Sequence, residues 1–227
     1  MNILVVAAHP DDEVLGCGGS IAKWAKGGHA VHVVILAEGA TSRDAVRDRE
    51  SRVVELSSLK SAASRAGEIL GAVSVQVMDM PDNRMDSLDR LDVIKAIERK
   101  VERVKPEMVV THHAGDVNID HRIIHEAVVT ACRPLPGHVV KKLLAFEISS
   151  STEWQTSGSA AMFIPNYYVD ITLELDLKME ALAEYESEMR PWPHSRSMQA
   201  LEHLARWRGA SVGCEAAEAF QLLREVQ

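Results

Sequence analysis

A short apolar strand that ends abruptly in ionisable residues is the feature that most constrains this chain. Residues 2–8 are almost entirely aliphatic, and a histidine, a proline and three acids follow at once as His9-Pro10-Asp11-Asp12-Glu13. An apolar run bounded in this way predicts a buried strand. In open parallel sheets, ligands bind just beyond the carboxyl ends of strands, so these side chains stand where binding sites form.

Strand and helix patterns alternate through the first part of the chain. Strands are predicted at residues 29–37, 73–80 and 108–111, and helices at residues 18–26, 42–70 (with a break near 57–58) and 88–104. Such alternation implies right-handed βαβ units around a parallel sheet. We therefore expect an α/β fold, a three-layer Rossmann-like sandwich with a mostly parallel sheet.

The pattern changes after a turn at residues 133–137. Strands are predicted at residues 142–148 and 163–172, helices at 173–189 and 197–208, and residues 214–226 fit either a helix or an edge strand. No repeat, low-complexity tract or linker divides the 227 residues. We expect a single domain over residues 1–227, with a core of residues 1–135 and the C-terminal strands and helices 140–227 packed on it.

The composition argues against several classes of protein. The formal net charge is -8 at pH 7 and no basic stripe is present, which argues against a nucleic-acid partner. Cys17, Cys132 and Cys214 have no C-x-x-C spacing, so neither a disulfide framework nor a thiolate zinc site is indicated. Because we find no secretion signal and no apolar run of about 20 residues, we expect a cytoplasmic protein without a membrane partner.

A second ionisable cluster follows the fourth predicted strand. Residues 111–125 contain four histidines and two aspartates: His112, His113, His121, His125, Asp116 and Asp120. Zinc takes imidazole ligands readily. Together with His9 and its neighbouring acids, this loop predicts a site for a divalent cation.

The first cluster resembles the opening of the PIG-L/LmbE family, metal-dependent de-N-acetylases that act on N-acetylglucosamine-type sugars. The resemblance is carried by residues 8–13 and by the glycine-rich string at residues 16–19. It implies that His9 and Asp12 bind zinc and that Asp11 is the general base. The family's H-x-D-H string corresponds to residues 118–121, which implies His121 as the third ligand, preceded by a catalytic Asp120.

Three such ligands would leave an open position for water, as in catalytic zinc sites. Zinc lowers the pKa of that water toward about 7, and a neighbouring carboxylate can then take the proton. Fe²⁺ or another divalent metal would accept the same ligands as Zn²⁺.

The chain departs from the family string at Asn118, where the family has a histidine that acts near the substrate carbonyl. Asparagine can donate a hydrogen bond to a developing oxyanion but cannot carry a proton near neutral pH. We therefore predict a polarising role for Asn118. Whether His113 or His194 carries the proton instead stays open.

Weaker strings predict contacts with the substrate. Six candidates lie in three loops: Asp82, Arg84, Glu153, Trp154, His194 and Arg196. The resemblance implies an acid or arginine on sugar hydroxyls in the first loop, while an aromatic ring can stack on a pyranose and an arginine can bind phosphate or carboxylate. For each loop the alternative is a structural role as a turn, a lid on the core or a helix cap.

Other functions fit the residues less well. A helical H-E-x-x-H zinc site needs glutamate where Arg122 stands, and a calcium loop needs glycine where His121 stands. A dinucleotide-binding oxidoreductase needs a third glycine where Ile21 stands. The remaining alternative, suggested by Asn118, is a Rossmann-like sugar- or nucleotide-binding protein without hydrolase activity.

The resemblance and the two clusters together predict a zinc-dependent N-deacetylase. Its substrate is expected to be a small N-acetylated amino sugar of the N-acetylglucosamine type, which a nucleotide or an aglycone could extend. Family analogy adds the expectation of a homo-oligomer, a trimer or a hexamer.

Overall fold

One sheet of seven strands runs through the protein, which the computed structural model describes over residues 1–227. The strands are β1 (Asn2–Ala7), β2 (Ala30–Ala37), β3 (Ser74–Met80), β4 (Met108–His112), β5 (Lys142–Phe146), β6 (Tyr167–Asp170) and β7 (Ala217–Glu225). The helices are α1 (Asp12–Lys26), α2 (Val53–Leu70), α3 (Arg90–Val104), α4 (Ile119–Ala131), α5 (Leu175–Ala183) and α6 (Met198–Ala210). The strand order across the sheet is β3-β2-β1-β4-β5-β7-β6.

The side chains of β1 show why helices must cover both faces of the sheet. Successive side chains of a strand point to opposite faces, and Val5 and Val6 are both fully buried, each in a different hydrophobic core. Helices α1, α2, α5 and α6 contribute to the first core, and α3 and α4 to the second. The first five strands pair in parallel. The predicted α/β sandwich of three layers with a mostly parallel sheet is confirmed.

The strand order places one crevice at the centre of the sheet. From β1 the chain proceeds through β2 and β3 on one side, whereas β4 and β5 lie on the other. Strand β1 therefore pairs with both β2 and β4, and the order reverses between β1 and β4. Crevices of this kind are where open α/β sheets bind ligands. Both ionisable clusters of the sequence lie in the loops that open into it.

The helix predicted over residues 42–70 is shorter than expected and lacks the expected break. Helix α2 begins at Val53 and runs uninterrupted to its end. A single 3-10 turn spans Thr41–Arg43, and irregular backbone follows it. Arg47 holds this segment by donating two hydrogen bonds, 2.7 and 2.9 Å long, to the buried Glu38. The charged side chains of this segment therefore pair across irregular backbone, whereas the sequence had predicted that they lie along a helix.

The C-terminal elements differ from the prediction in three ways. The ambiguous segment at residues 214–226 is a strand, and β7 lies inside the sheet between β5 and β6, antiparallel to both, rather than at an edge. Strand β6 covers less than the predicted residues 163–172, and α5 ends at Ala183 instead of Met189. No helix combines the length and the hydrophobicity that crossing a bilayer requires.

Helix α1 starts earlier than predicted and bends at Cys17, whose φ of -152° is not helical. A bend of this kind interrupts the ladder of helical hydrogen bonds. The buried Glu218 of β7 accepts hydrogen bonds from the backbone N–H groups of Gly19 and Ser20, at 3.0 and 2.7 Å. Lys178 of α5 neutralises that carboxylate at 2.5 Å. The C-terminal elements thereby fix the helix that begins in the first ionisable cluster.

A substitution at Gly16 tests how tightly helix α1 packs against the sheet. A Cβ at this position would lie 2.6 Å from Cγ of the buried Phe146. We expect Gly16→Ala to lower the free energy of unfolding by about 1–3 kcal/mol because a packed core resists added volume. Chemical denaturation measures the loss. In a Phe146→Leu background the same substitution should cost less, and an equal cost in both backgrounds would contradict the packing argument.

Candidate active site

Three side chains predicted as metal ligands converge at the crevice. His9 follows β1, Asp12 begins α1, and His121 lies in the first turn of α4. Asp12 Oδ2 lies 3.2 Å from both His9 Nδ1 and His121 Nε2, and these two nitrogens are 3.4 Å apart. Asp12 and His121 are buried, and His9 retains a small exposed fraction. Two imidazoles and one carboxylate are a donor set that catalytic zinc sites use.

A buried carboxylate stands behind His121. Asp116 Oδ2 lies 3.2 Å from His121 Nδ1, the ring nitrogen that faces away from the ligand cluster. Asp116 in turn accepts hydrogen bonds from the hydroxyls of Ser151 and Thr152, the second at 2.7 Å. Metal-ligating imidazoles are commonly oriented by such a carboxylate. Asp116 is not among the residues predicted for the site, although its place in the histidine-rich loop was a usable signal.

His9 has a similar support on its other side. Its Nε2 lies 3.1 Å from Asp120 Oδ2 and 3.4 Å from Asp82 Oδ1. Asp120 is fixed by the backbone N–H groups of Asn83 and Met85, at 2.7 and 3.0 Å. His9, Asp82 and Asp120 could also group around a cation. The group with Asp12 and His121 is the better candidate because it contains two imidazoles.

The charges in the cluster shift the pKa values of its members. Burial alone would lower the pKa of His121, but Asp12 and Asp116 raise it to about 9. Burial alone would raise the pKa of Asp12, but His121 and His9 hold it well below its ordinary value. Several carboxylates thus surround two imidazoles, and the cluster attracts positive charge. A divalent cation can take the place of the protons that the imidazoles otherwise bind.

Asp11 lies next to this cluster but is not one of its members. Its carboxyl group is buried, and Oδ2 lies 3.1 Å from Nη1 of Arg196. Burial raises the pKa of Asp11 well above its ordinary value, and Arg196 partly opposes the shift. Its backbone adopts φ 110°, a strained region for a residue other than glycine. The Asp11 N–H donates to Glu13 Oε2 at 3.2 Å, and the Tyr185 hydroxyl holds the other oxygen of Glu13 at 2.5 Å.

A polar cavity opens in front of these groups. It encloses about 560 Å³, including space open to solvent, and His9, Asp11 and His121 form part of its wall. Of the other predicted site residues, Asp82, Asn118 and Arg196 also line it. Loops from the carboxyl ends of all five parallel strands and from the segment after α5 therefore meet around one space.

Asn118 occupies the N-cap of α4. Its Oδ1 accepts a hydrogen bond from the N–H of Asp120 at 2.9 Å, and its Nδ2 donates to Oδ1 of Asn83 at 2.7 Å. The second hydrogen of the amide nitrogen has no acceptor within the protein and is available at the cavity wall. The two histidines considered as proton carriers, His113 and His194, do not line the cavity.

Four of the candidate substrate residues lie outside the cavity wall. Arg84 donates to two backbone carbonyls of the segment after β2, both at 3.0 Å. Glu153 accepts from two backbone N–H groups of its own loop, at 2.6 and 3.2 Å. Trp154 is 55% exposed, and its ring and the His194 ring form a T-shaped pair with their centroids 5.8 Å apart. In this structure Arg84 and Glu153 fix loops, and Trp154 and His194 pair at the surface.

Comparison with known proteins connects these loops to a family. The sequence profile of the PIG-L family, described as GlcNAc-PI de-N-acetylase, matches residues 4–132. The uncharacterised deacetylase YaiS of Escherichia coli K12 is 28% identical over 192 residues, or 82% of this chain and 91% of its own length. The 4-oxalmesaconate hydratase of Pseudomonas putida KT2440 is 32% identical over 213 residues, covering 85% of this chain and 76% of the hydratase. The diacetylchitobiose deacetylase of Thermococcus kodakarensis is 28% identical over 202 residues, covering 82% and 70%.

Solved structures extend the similarity to the whole chain. GalB, the 4-carboxy-2-hydroxymuconate hydratase of P. putida KT2440, superposes with a TM-score of 0.77 at 26% identity, covering 100% of this chain and 97% of GalB. The N,N'-diacetylchitobiose deacetylase of Pyrococcus horikoshii gives the same TM-score at 19% identity, covering 98% and 84%, and supports the fold alone. Because the family profile spans more than half of the sequence and includes the whole His9, Asp12 and His121 cluster, the chain belongs to the PIG-L family.

Proposed function

We propose that the protein is a metal-dependent hydrolase that removes the N-acetyl group from an N-acetylglucosamine-type amino sugar. The observation that carries the proposal is that two neighbouring buried aspartates occupy different positions relative to the candidate metal cluster. Asp12 belongs to a cluster that can hold a metal, whereas Asp11 lines the same cavity outside that cluster. Hydrolysis of an amide needs both an electrophile for the carbonyl and a separate base for the water proton. Relatives that are deacetylases support this choice of reaction.

The donor set fits zinc, and Fe²⁺ or another divalent ion would accept the same ligands. His9, Asp12 and His121 would hold the ion, and Asp120 and Asp116 would orient the two imidazoles. When bound, such an ion polarises the amide carbonyl and lowers the pKa of a water molecule to about 7.

Side chains of the protein perform the remaining steps. Asp11 takes the proton of the attacking water and returns it to the amine nitrogen as the carbon–nitrogen bond breaks, which leaves acetate and a free amino sugar. The unpaired amide hydrogen of Asn118 donates to the oxyanion that develops on the carbonyl oxygen. Asp82 accepts hydrogen bonds from sugar hydroxyls. Arg196 keeps the Asp11 carboxylate in place through their 3.1 Å contact.

A second candidate is the addition of water to a carbon–carbon double bond. The relative with 32% identity is a 4-oxalmesaconate hydratase, and a water molecule activated by a metal can serve this reaction as well. The two reactions are separated by their products. Acetate release from N-acetylated sugars supports the hydrolase, and loss of the double-bond absorbance of an unsaturated oxo-acid supports the hydratase.

The role of Asp11 can be tested by Asp11→Asn, which keeps the shape of the side chain and removes the base. We expect the zinc-loaded variant to lose acetate release by about 10²–10⁴-fold because a positioned general base contributes that much. Its zinc content, measured by atomic absorption, should equal that of the wild type. Asp92→Asn, which changes an exposed carboxylate on α3, serves as the control. Full activity of Asp11→Asn, or loss of its zinc, would contradict the assignment.

Zinc binding should depend on pH because the ion competes with a proton on His121. With a pKa of about 9, this imidazole is protonated near neutral pH and must lose its proton to become a ligand. Burial lowers the pKa of His9, but Asp12 and Asp120 raise it well above its ordinary value, so this imidazole also loses a proton on binding. We expect apparent zinc affinity to rise by about tenfold to a hundredfold per pH unit from pH 7 toward pH 8.5. Chelator competition at several pH values measures this slope.

The matched variant is Asp116→Asn. The neutral amide no longer raises the pKa of His121. Apparent zinc affinity should therefore rise less steeply with pH near neutral pH than it does in the wild type. A zinc affinity that does not change between pH 7 and pH 8.5 in the wild type would overturn the expectation.

A further inference from the structure

We infer that the cavity selects an uncharged N-acetylated sugar and discriminates against sugars that carry a phosphate, carboxylate or nucleotide. The inference rests on the proposed function and concerns what is attached to the sugar. Relatives of the chain include deacetylases of both kinds of substrate, since one acts on diacetylchitobiose and another on a sugar linked to malate. The chemistry of the attached group is therefore a property of the individual chain.

Both arginines of the cavity wall are already paired with acids of the same wall. Arg196 contacts Asp11 at 3.1 Å and donates from Nε to the Ser150 hydroxyl at 3.0 Å. Arg43 contacts Glu188 at 2.6 Å. No lysine lines the cavity. An anionic substrate would have to break one of these pairs, because recognition of phosphate or carboxylate relies on free, charged donors.

The arginines just outside the wall are also occupied. Arg84 donates to two backbone carbonyls after β2, and Arg122 donates to the carbonyls of Asp116 and Val117 at 3.0 and 3.3 Å. Arg190 donates to two carbonyls of its own loop, both at 2.8 Å. Each arginine uses one guanidinium nitrogen in these contacts, and none of the three lines the cavity, so these groups reach an anion inside it only by leaving the carbonyls.

Acids outnumber bases around the cavity. Six carboxylates line it or stand directly against its two imidazoles: Asp11, Asp12, Asp82, Asp116, Asp120 and Glu188. Only two guanidinium groups face them, and the wall stays net negative even when one bound divalent cation is counted. An anion entering this space meets like charge at short range, which costs binding energy and disfavours such ligands.

The rest of the wall suits a neutral sugar. Asn83, Asn118, Ser42 and Ser150 supply uncharged polar groups beside the carboxylate of Asp82. Sugar hydroxyls both donate and accept, so a wall of amides, hydroxyls and carboxylates can satisfy them. No phenylalanine, tyrosine or tryptophan lines the cavity, so a nucleotide base finds no stacking surface inside it.

The Arg43 and Glu188 pair is the position at which this selectivity can be changed. Glu188 is largely covered, whereas Arg43 is 40% exposed and reaches the cavity from the segment after β2. Glu188→Gln removes the carboxylate that neutralises Arg43 and leaves a free guanidinium in the wall. The segment after α5 provides a matched control, because Glu184 makes a similar contact with Arg65 away from the cavity.

The first experiment compares kcat/KM of the zinc-loaded enzyme for N-acetylglucosamine and diacetylchitobiose with that for N-acetylglucosamine 1-phosphate and UDP-N-acetylglucosamine. We expect the uncharged sugars to be preferred by about tenfold or more, the equivalent of one unfavourable charge contact. Glu188→Gln should narrow this ratio, and Glu184→Gln should not. Equal or faster turnover of the phosphorylated sugars would overturn the inference while leaving the deacetylase proposal intact.

Binding gives a second measurement that does not depend on turnover. Calorimetric titration of zinc-loaded Asp11→Asn with N-acetylglucosamine and with its 1-phosphate compares their affinities directly. Tighter binding of the uncharged sugar supports the inference even if no sugar releases acetate, a result that would reject the proposed function alone. Tighter binding of the phosphate, or no binding of the uncharged sugar, would overturn the inference.

Discussion

The parallel pairing of β1 with β4 is the contact on which the candidate site depends. Its register sets Ile3 opposite Met108 and Val5 opposite Val110. Both strands therefore end at the same edge of the sheet, and their loops deliver His9, Asp12 and His121 to one point. Because β1 is buried on both faces, a one-residue shift of its register would exchange its side chains between the two cores and would move His9 and Asp12 away from His121. The packing of one strand thus fixes the geometry of a polar cluster.

Electrostatic balance is the second constraint on the site. Buried carboxylates are costly unless they are paired or hold a cation. Here Asp12 and Asp116 flank His121, Asp120 supports His9, and Asp11 is compensated by Arg196. The imidazoles must carry protons or share a metal to offset this negative charge. The same arrangement separates Asp11, the proposed base, from the proposed metal ligands, and the proposed reaction needs this separation.

The family relationship narrows the chemistry without fixing the substrate. Relatives at similar identity include a deacetylase and a hydratase, so one fold supports more than one reaction of water. The cluster of His9, Asp12 and His121 does not by itself discriminate between the two reactions, because a water molecule activated by a metal can serve either. Discrimination has to come from the cavity wall, where pairs such as Arg43 with Glu188 decide which charges remain available to a substrate.

Local sequence determined the positions of β1 to β5, the layered fold and the meeting of the two ionisable clusters at one sheet edge, because apolar periodicity and the order of strands dictate which loops share that edge. Within those clusters, the resemblance to the PIG-L/LmbE family, and not periodicity, singled out His9, Asp12 and His121. The tertiary structure alone decided that β7 enters the sheet between β5 and β6, and that an ion-paired segment replaces the first turns of the predicted helix before α2. It also decided which charged side chains around the cavity form ion pairs within the protein. The contacts of Arg196 with Asp11 and of Arg43 with Glu188 join residues 185 and 145 positions apart. Pairing over such distances depends on the packing of the C-terminal loops against the sheet, and no local pattern encodes it.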